Sequence, residues 1–268
     1  MRLMMFEASG GPRLGVVEGD KVIDVAAADL ALPKTMLALI EAGPDALARV
    51  AAAVKGAGAE ATLALKDVTP ALPIERPGKF VCVGLNYAAH AREGGHEPPK
   101  YPSLFVRWPS SLVAAEAPVI LPKVCEQLDY EAELTFVIGK GGRAIPEDKG
   151  LDHVFGYTLF NDVSVRAWQR YTPQWTQGKN FDGTGPLGPV VVTPDELPAG
   201  ASGLRITRRG RHGHAVGRRP CHETAGLDEG WRPGRGRGRR HRHPGQSHRR
   251  RGLTGMIGEG RRGPPLHP

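Results

Sequence analysis

Hydrophobic alternation and helical spacing divide the chain into three parts: strands and helices first, a strand-rich middle, and a final stretch with neither pattern. Apolar positions in Arg2–Phe6, Leu14–Val17 and Val22–Val25, separated by Gly10-Gly-Pro12 and Gly19-Asp20, predict three short strands joined by turns. Lys34–Glu41 and Pro44–Lys55 carry helical spacing, with Gly43 a stop for the first and Pro44 suited to the first turn of the second. Thr69–Lys79, with Pro70, Pro73 and Pro77, reads as a linker out of a small first domain, residues 1–70. Phe80–Leu85 then predicts a buried strand. Asn86 suits the N-cap of a short helix over Tyr87–Glu93, and Gly94–Pro99 is either a plain turn or a loop that closes over a ligand.

Leu128–Ile138 is the stretch around which the chemistry is expected. Ala132, Leu134, Phe136 and Ile138 are apolar, while Glu131, Glu133 and Thr135 take the other parity. A period of two places both carboxylates on one strand face and predicts the apolar set against a core. Adjacent carboxylates repel unless a cation neutralises them, although a lone Glu-x-Glu is more often a solvated strand edge. A second acidic strand end, Phe160-Asn-Asp162, tips the reading toward metal. Three carboxylates from two strands are the hard oxygen donors that Mg²⁺ or Mn²⁺ takes.

Three further features carry candidate chemistry. His90 and Glu93 lie three apart on the short helix, where a carboxylate orients an imidazole to take a proton from water; a solvated surface pair is the alternative. Ser164 caps a helix predicted over Val165–Tyr171, which aligns Arg166, Gln169 and Arg170 on one side. The glycine-rich stretch Gln177–Pro189 holds one lysine, Lys179, in an order that does not match a phosphate-binding P-loop. Lys179 is thus either a point charge for an anionic substrate or an ordinary solvated side chain.

Composition narrows the class. No apolar run approaches a membrane span, no signal-type h-region opens the chain, and three cysteines without Cys-x-x-Cys spacing predict a reduced, cytoplasmic protein. The net charge of +8 is unevenly placed: residues 204–268 hold 17 Arg, no Lys and 4 acidic residues, while the preceding residues hold 19 basic and 24 acidic ones. The body is mildly acidic, and the basicity belongs to the tail.

Four motifs in order resemble one known family. Gly84-Leu-Asn-Tyr-x-x-His-Ala-x-Glu93, Asp129-Tyr-Glu-Ala-Glu-Leu134, Gly156-Tyr-Thr-x-x-Asn-Asp-x-Ser-x-Arg166, and Gly178-Lys-x-Phe-Asp182 with Gly185–Pro189 are similar to the fumarylacetoacetate hydrolase family. The resemblance covers about residues 75–200 and implies an α+β, mainly β fold: a small N-terminal domain and a mixed β-roll catalytic domain over residues 75–203. It implies Mg²⁺ or Mn²⁺ on Glu131, Glu133 and Asp162, water activation by His90 and Glu93, and a lysine near the substrate, Lys179. Gln169 matches a substrate-contacting glutamine and Arg166 the arginine of the same motif. Arg107 stands where many relatives carry Lys, and its role is left open. The implied activity is C–C bond hydrolysis in a β-dioxo acid of the fumarylacetoacetate or acylpyruvate type, usually in a homodimer. Isomerisation or decarboxylation of a 2-oxo acid uses the same enolate logic.

Residues 204–268 depart from that pattern. Arg232–Gly245 is too rich in Arg, Gly, His and Pro to build a core and is expected to be disordered alone. As an arm for nucleic acid or another polyanion it lacks Lys and nearly lacks aromatics, so nucleic acid is not the expected partner. A shifted reading frame explains more. With Arg as CGN and His as CAY, reading His241–Gly245 one base later permits Thr-Gly-Thr-Pro-Ala, the loop that closes the family's substrate site. That shift stops at Met256-Ile257, where it forces a stop codon, so residues 249–268 have no reading in either frame. Nucleotide sequence across the codons for Leu204–Arg209, aligned with relatives, is expected to show a one-base insertion or deletion. An unbroken frame shared with relatives would instead make the tail an inherited module.

Overall fold

The computed structural model of the chain describes residues 1–86 and 99–197, together with the short strands Ile206–Thr207 and Thr224–Ala225. The helix expected over Tyr87–Glu93, with His90 and Glu93, lies outside the described residues, as do nearly all of Gly94–Pro99 and most of the Arg-rich tail. In chain order the strands are β1 (Arg2–Phe6), β2 (Arg13–Glu18), β3 (Lys21–Asp24), β4 (Thr62–Ala64), β5 (Val81–Gly84), β6 (Ser103–Val106), β7 (Leu112–Ala114) and β8 (Leu128–Asp129). They continue as β9 (Ala132–Ile138), β10 (Val154–Asn161), β11 (Ser164–Val165), β12 (Gly185–Leu187), β13 (Val190–Val192), β14 (Ile206–Thr207) and β15 (Thr224–Ala225). The helices are α1 (Val25–Ala28), α2 (Met36–Lys55), α3 (Arg166–Gln169) and α4 (Thr176–Lys179). The expected α+β, mainly β class is the observed one.

The first three strands form the antiparallel meander that their turns predict, with Leu3 opposite Val16 and Val16 opposite Ile23. The side chain of Asp24 caps α1, its Oδ1 accepting from the amides of Ala26 and Ala27 at 3.0 and 3.3 Å. Thr35 caps α2 through a 3.2 Å bond accepted from the amide of Ala38. Gly43 interrupts α2 at φ 79°, a conformation that glycine adopts without strain, and Pro44 restarts it. The two predicted helices therefore meet end to end. Their inner face, Met36, Leu39, Val50 and Val54, packs on Leu3, Leu14 and Val191 of the sheet.

One sheet runs from these strands into the rest of the described chain, and all described residues belong to one compact unit. Its order is β4-β3-β2-β1-β13-β10-β12-β7, with β9 added on β10. The join is β1 to β13, antiparallel, with Arg2 opposite Val192 and Met4 opposite Val190. The proline-rich stretch read as a linker is tied to the same edge: Pro70 bridges Phe6, and the amide of Ala71 donates to the carbonyl of Met5 at 2.9 Å. Outside the large sheet, β5 pairs with β6, β8 with β11, and β14 with β15, all antiparallel.

Four sequence expectations need correction. The strand expected to be buried over Phe80–Leu85 is β5, whose Val81 and Val83 are exposed because it pairs with β6 alone, outside the large sheet. Leu128–Ile138 is not one strand but two, β8 and β9, broken at Tyr130-Glu131; β8 leaves the large sheet to pair with β11. The apolar parity of β9 does not face the core: Phe136 and Ile138 are 50% and 59% exposed, while Val137, of the carboxylate parity, is 8% exposed. The reason is position. Among the described strands β9 pairs with β10 alone, so its even face lies at a margin, and Val137 reaches the core beneath α2. Ser164 does not cap a helix; it belongs to β11, its hydroxyl donates to the carbonyl of Asp162 at 3.0 Å, and α3 is only Arg166–Gln169.

Leu39 lies wholly buried between α2 and the sheet. Leu39→Ala should lower unfolding free energy by about 2–5 kcal/mol, the usual cost of a leucine-sized core cavity. Urea denaturation followed by circular dichroism checks this; a midpoint equal to the parent's would show that α2 does not hold the sheet.

A buried carboxylate and cation cluster as candidate active site

The break between β8 and β9 positions the first carboxylate. The amide of Glu131 donates to Asn161 Oδ1 at 3.2 Å, and its carbonyl accepts from the amide of Asp162 at 2.9 Å. Glu131 and Asp162 thus continue the β9–β10 ladder past its last strand residues. Glu133 pairs directly with Phe160 in that ladder. Because opposed residues share a face and alternate residues return to it, Glu131, Glu133 and Asp162 all project from one side of the sheet.

Lys179 closes the cluster. Its Nζ donates to Glu131 Oε2 and to Asp162 Oδ2, each at 2.7 Å, with the lysine and aspartate side chains only 2% and 3% exposed. It ends α4, which packs so tightly on α3 that a side chain at Gly178 would collide with the backbone of Gln169. The ring of Phe105 lies 5.1 Å below the ammonium, a cation–π contact in a dry setting. The lone lysine of the glycine-rich stretch is therefore not a solvated charge.

Two arginines flank this centre. Arg166 donates through Nε and Nη2 to Asp129 Oδ2 at 2.9 and 2.7 Å, and through Nη1 to Gln169 Oε1 at 2.8 Å and to Glu131 Oε1 at 2.6 Å. Arg107 lies on the opposite side. Its Nη1 donates to Asp162 Oδ1 at 2.9 Å and to the carbonyl of Val163 at 3.1 Å, Nε to Ser111 Oγ at 3.2 Å, and Nη2 to Thr184 Oγ1 at 3.2 Å. Arg107, Arg166 and Lys179 thus face Asp129, Glu131, Glu133 and Asp162, one negative charge in excess.

Burial alone would push the Glu131 carboxyl up, but the Lys179 ammonium and the Arg166 guanidinium outweigh it and hold the carboxyl below its usual range. Burial alone would lower Arg166 too, yet Glu131 and Asp129 keep it above the ordinary arginine value. For Arg107 burial prevails over Asp162, so its pKa is lowered. Cys82, opposite Phe105 on β5, senses part of the cluster: burial first, then Asp162, raises its thiol, and Arg107 and Lys179 oppose.

Of the residues singled out from sequence, the fold brings Glu131, Asp162, Lys179, Arg166 and Gln169 into one bonded cluster, with Glu133 on the same sheet face. The donor chemistry fits a hard divalent cation, since carboxylate oxygens of Glu131 and Asp162 already converge on one cationic centre. Among the described residues no three His, Cys, Asp or Glu side chains stand as a ready ligand group, because Glu131 and Asp162 close on Lys179. His90 and Glu93 lie outside the described residues. Sequence reasoning assigned no part to Asp129 or Arg107. Each had a signal: Asp129 opens the motif that holds Glu131 and Glu133, and Arg107 stands where many relatives carry Lys.

Comparison with known proteins follows the same residues. A family model described as fumarylacetoacetate (FAA) hydrolase C-terminal matches residues 79–221. The mitochondrial oxaloacetate tautomerase of Xenopus laevis is 39% identical over 203 residues, covering 74% of this chain and 63% of that protein. This chain therefore spans less than two thirds of that relative's length. Among solved structures, maleylpyruvate hydrolase from Sphingobium sp. SYK-6, in complex with manganese(II) ion and pyruvate, superposes with a TM-score of 0.62 at 30% identity, over 77% of this chain and 72% of that one. Fumarylacetoacetate hydrolase from Exiguobacterium antarcticum gives 0.60 at 34% identity, over 73% and 67%.

The raised Cys82 thiol yields a test of the cluster's dryness. At pH 8 in the native protein Cys82 should react with iodoacetamide at least roughly tenfold more slowly than after unfolding, because only the thiolate attacks. Peptide mass spectrometry of timed samples reads the rate; equal native and unfolded rates would place Cys82 in water.

Proposed function

The chain belongs to the fumarylacetoacetate hydrolase family, and on that premise we propose that it is a metal-dependent enzyme hydrolysing a C–C bond of a β-dioxo acid of the acylpyruvate type. The observation that carries this reading is the pair of buried carboxylates, Glu131 and Asp162, sharing one ammonium between two guanidinium groups. With one negative charge in excess, such a site would suit a divalent cation first and, once that charge is reversed, a small anion whose charge moves during reaction. Glu131, Glu133 and Asp162 would hold a Mg²⁺ or Mn²⁺ ion, which when bound would supply Lewis-acid polarisation of a 2-oxo acid.

The chain's own groups do the remaining work. Arg166, held by Asp129 and Gln169, fixes a substrate carboxylate in orientation. Lys179 gives two of its three N–H bonds to Glu131 and Asp162, which leaves one for the oxygen where enolate charge develops. His90 takes a proton from water, with Glu93 orienting the imidazole; this pair rests on sequence alone. The attacking hydroxyl bonds to the distal carbonyl carbon, the C–C bond breaks, and its electron pair passes into the pyruvate-type enolate that Lys179 and Arg166 face.

A second reading is keto–enol isomerisation of a 2-oxo acid, favoured by the tautomerase activity in the name of the Xenopus relative. It needs the same enolate-binding side and no attacking water. His90→Ala separates the two. Hydrolysis of an acylpyruvate, followed by loss of its ultraviolet absorbance, should fall by roughly 10²–10⁴-fold while Mn²⁺ affinity by calorimetry holds, as for loss of a general base. The assay uses the chain as it stands beside one with the frame restored near Thr207. Hydrolysis undiminished in His90→Ala would sink the assignment, and oxaloacetate tautomerisation without any hydrolysis in the parent would favour the second reading.

A further inference from the structure

Arg107 is among the largest side chains with no exposed surface, and the hairpin that carries it exists in two halves. One face of β5–β6 turns Cys82 and Phe105 inward, and Arg107, two residues beyond Phe105, follows the same parity. The other face leaves Val81, Val83, Leu104 and Val106 exposed. A guanidinium at this depth is costly, and a hydrophobic residue of similar volume would often serve stability as well. The neighbourhood is instead built for it. Phe160 lies under the guanidinium carbon at 5.1 Å, and a Cβ on Gly185 would lie 2.5 Å from Nη2, so glycine at that position makes the room.

The manner of the contact with Asp162 is more telling than its presence. Arginine and carboxylate commonly meet fork to fork, with two parallel N–H bonds occupying both oxygens. Here Nε turns to Ser111, Nη2 to Thr184, and Nη1 divides between Asp162 Oδ1 and the carbonyl of Val163. Asp162 receives one bond on one oxygen. Its Oδ2 is left to the other side, where Lys179 takes it at 2.7 Å. We propose that Arg107 is a positioning residue: by fixing Oδ1 alone it sets the carboxylate plane of Asp162 and aims Oδ2 into the site. It touches neither substrate nor metal. This rests on the reading of Asp162 as a metal ligand. A lysine at the same place retains the charge but gathers its three donors on one atom, without the planar fork that here spreads them over Ser111, Thr184 and Asp162.

The test uses the full-length chain and Mn²⁺ alone as probe, with calorimetry for affinity and thermal unfolding for integrity. Arg107→Lys should weaken Mn²⁺ at least tenfold while unfolding within a few degrees of the parent. Thr184→Val, which removes one outer anchor of the guanidinium without touching Asp162, should weaken it in the same direction by two- to fivefold. Leu112→Ala, a packing change beside the same cluster of Phe160 and Leu187, controls for general loosening and should leave Mn²⁺ affinity near parental. Parental affinity in Arg107→Lys overturns the proposal, as does a loss in Leu112→Ala equal to that in Arg107→Lys. If Arg107→Lys does not fold, Thr184→Val decides alone: weakening supports the proposal and parental affinity overturns it. A parent that binds no Mn²⁺ overturns the metal reading itself, and this inference with it, which is distinct from a parent that binds while Arg107→Lys binds equally well.

Discussion

The site depends on one ammonium shared by two carboxylates. Glu131 and Asp162 are stripped of most of their water, and charges so placed must find partners or be neutralised. Lys179 meets both at 2.7 Å, and these two bonds tie the end of α4 to both strands of the β9–β10 ladder at one end. Much else follows from keeping them. The strand break at Tyr130 turns Glu131 inward, the close approach at Gly178 fixes the height of Lys179, and Phe105 covers the ammonium from below. The two arginines then use the outer oxygens of the same carboxylates, one each, so no member of the cluster moves without unpairing a neighbour.

The large sheet explains why this arrangement stays in register. β10 is buried on both faces and carries Asn161 and leads to Asp162; its neighbour β13 is held on the far side by β1. The first residues of the chain are therefore structural partners of the site strand and not a separate decoration. The helices over the meander, meeting at Gly43, supply the apolar cover that this half of the sheet requires.

What was legible in the sequence was local. Alternation placed Glu131 and Glu133 on one face, turn residues marked the meander, and Gly43-Pro44 marked the helix junction, because each depends on neighbours a few residues away. The core-facing side of β9 was misread for a reason that alternation does not contain: which face is covered depends on whether a strand lies inside a sheet or at its margin. Ser164 was misread because a hydroxyl before an apparent helix can equally close on a strand carbonyl, and the pairing with Asp129, far upstream, decided it. Lys179 was read as a charge for an anionic substrate or for solvent, and its two carboxylates escaped notice because they lie 17 and 48 residues away. Arg107 was singled out without a role, because its partners Asp162 and Thr184 lie 55 and 77 residues away. The comparisons agree with the motifs in family while leaving hydrolysis and tautomerisation as rival chemistries.

Every charged member of the cluster, from Arg107 through Asp129, Glu131, Glu133, Asp162 and Arg166 to Lys179, is encoded upstream of residue 180. The gene segment for the Arg-rich tail contributes none of them. A change confined to the downstream codons therefore leaves the coding of every charged group of the centre untouched.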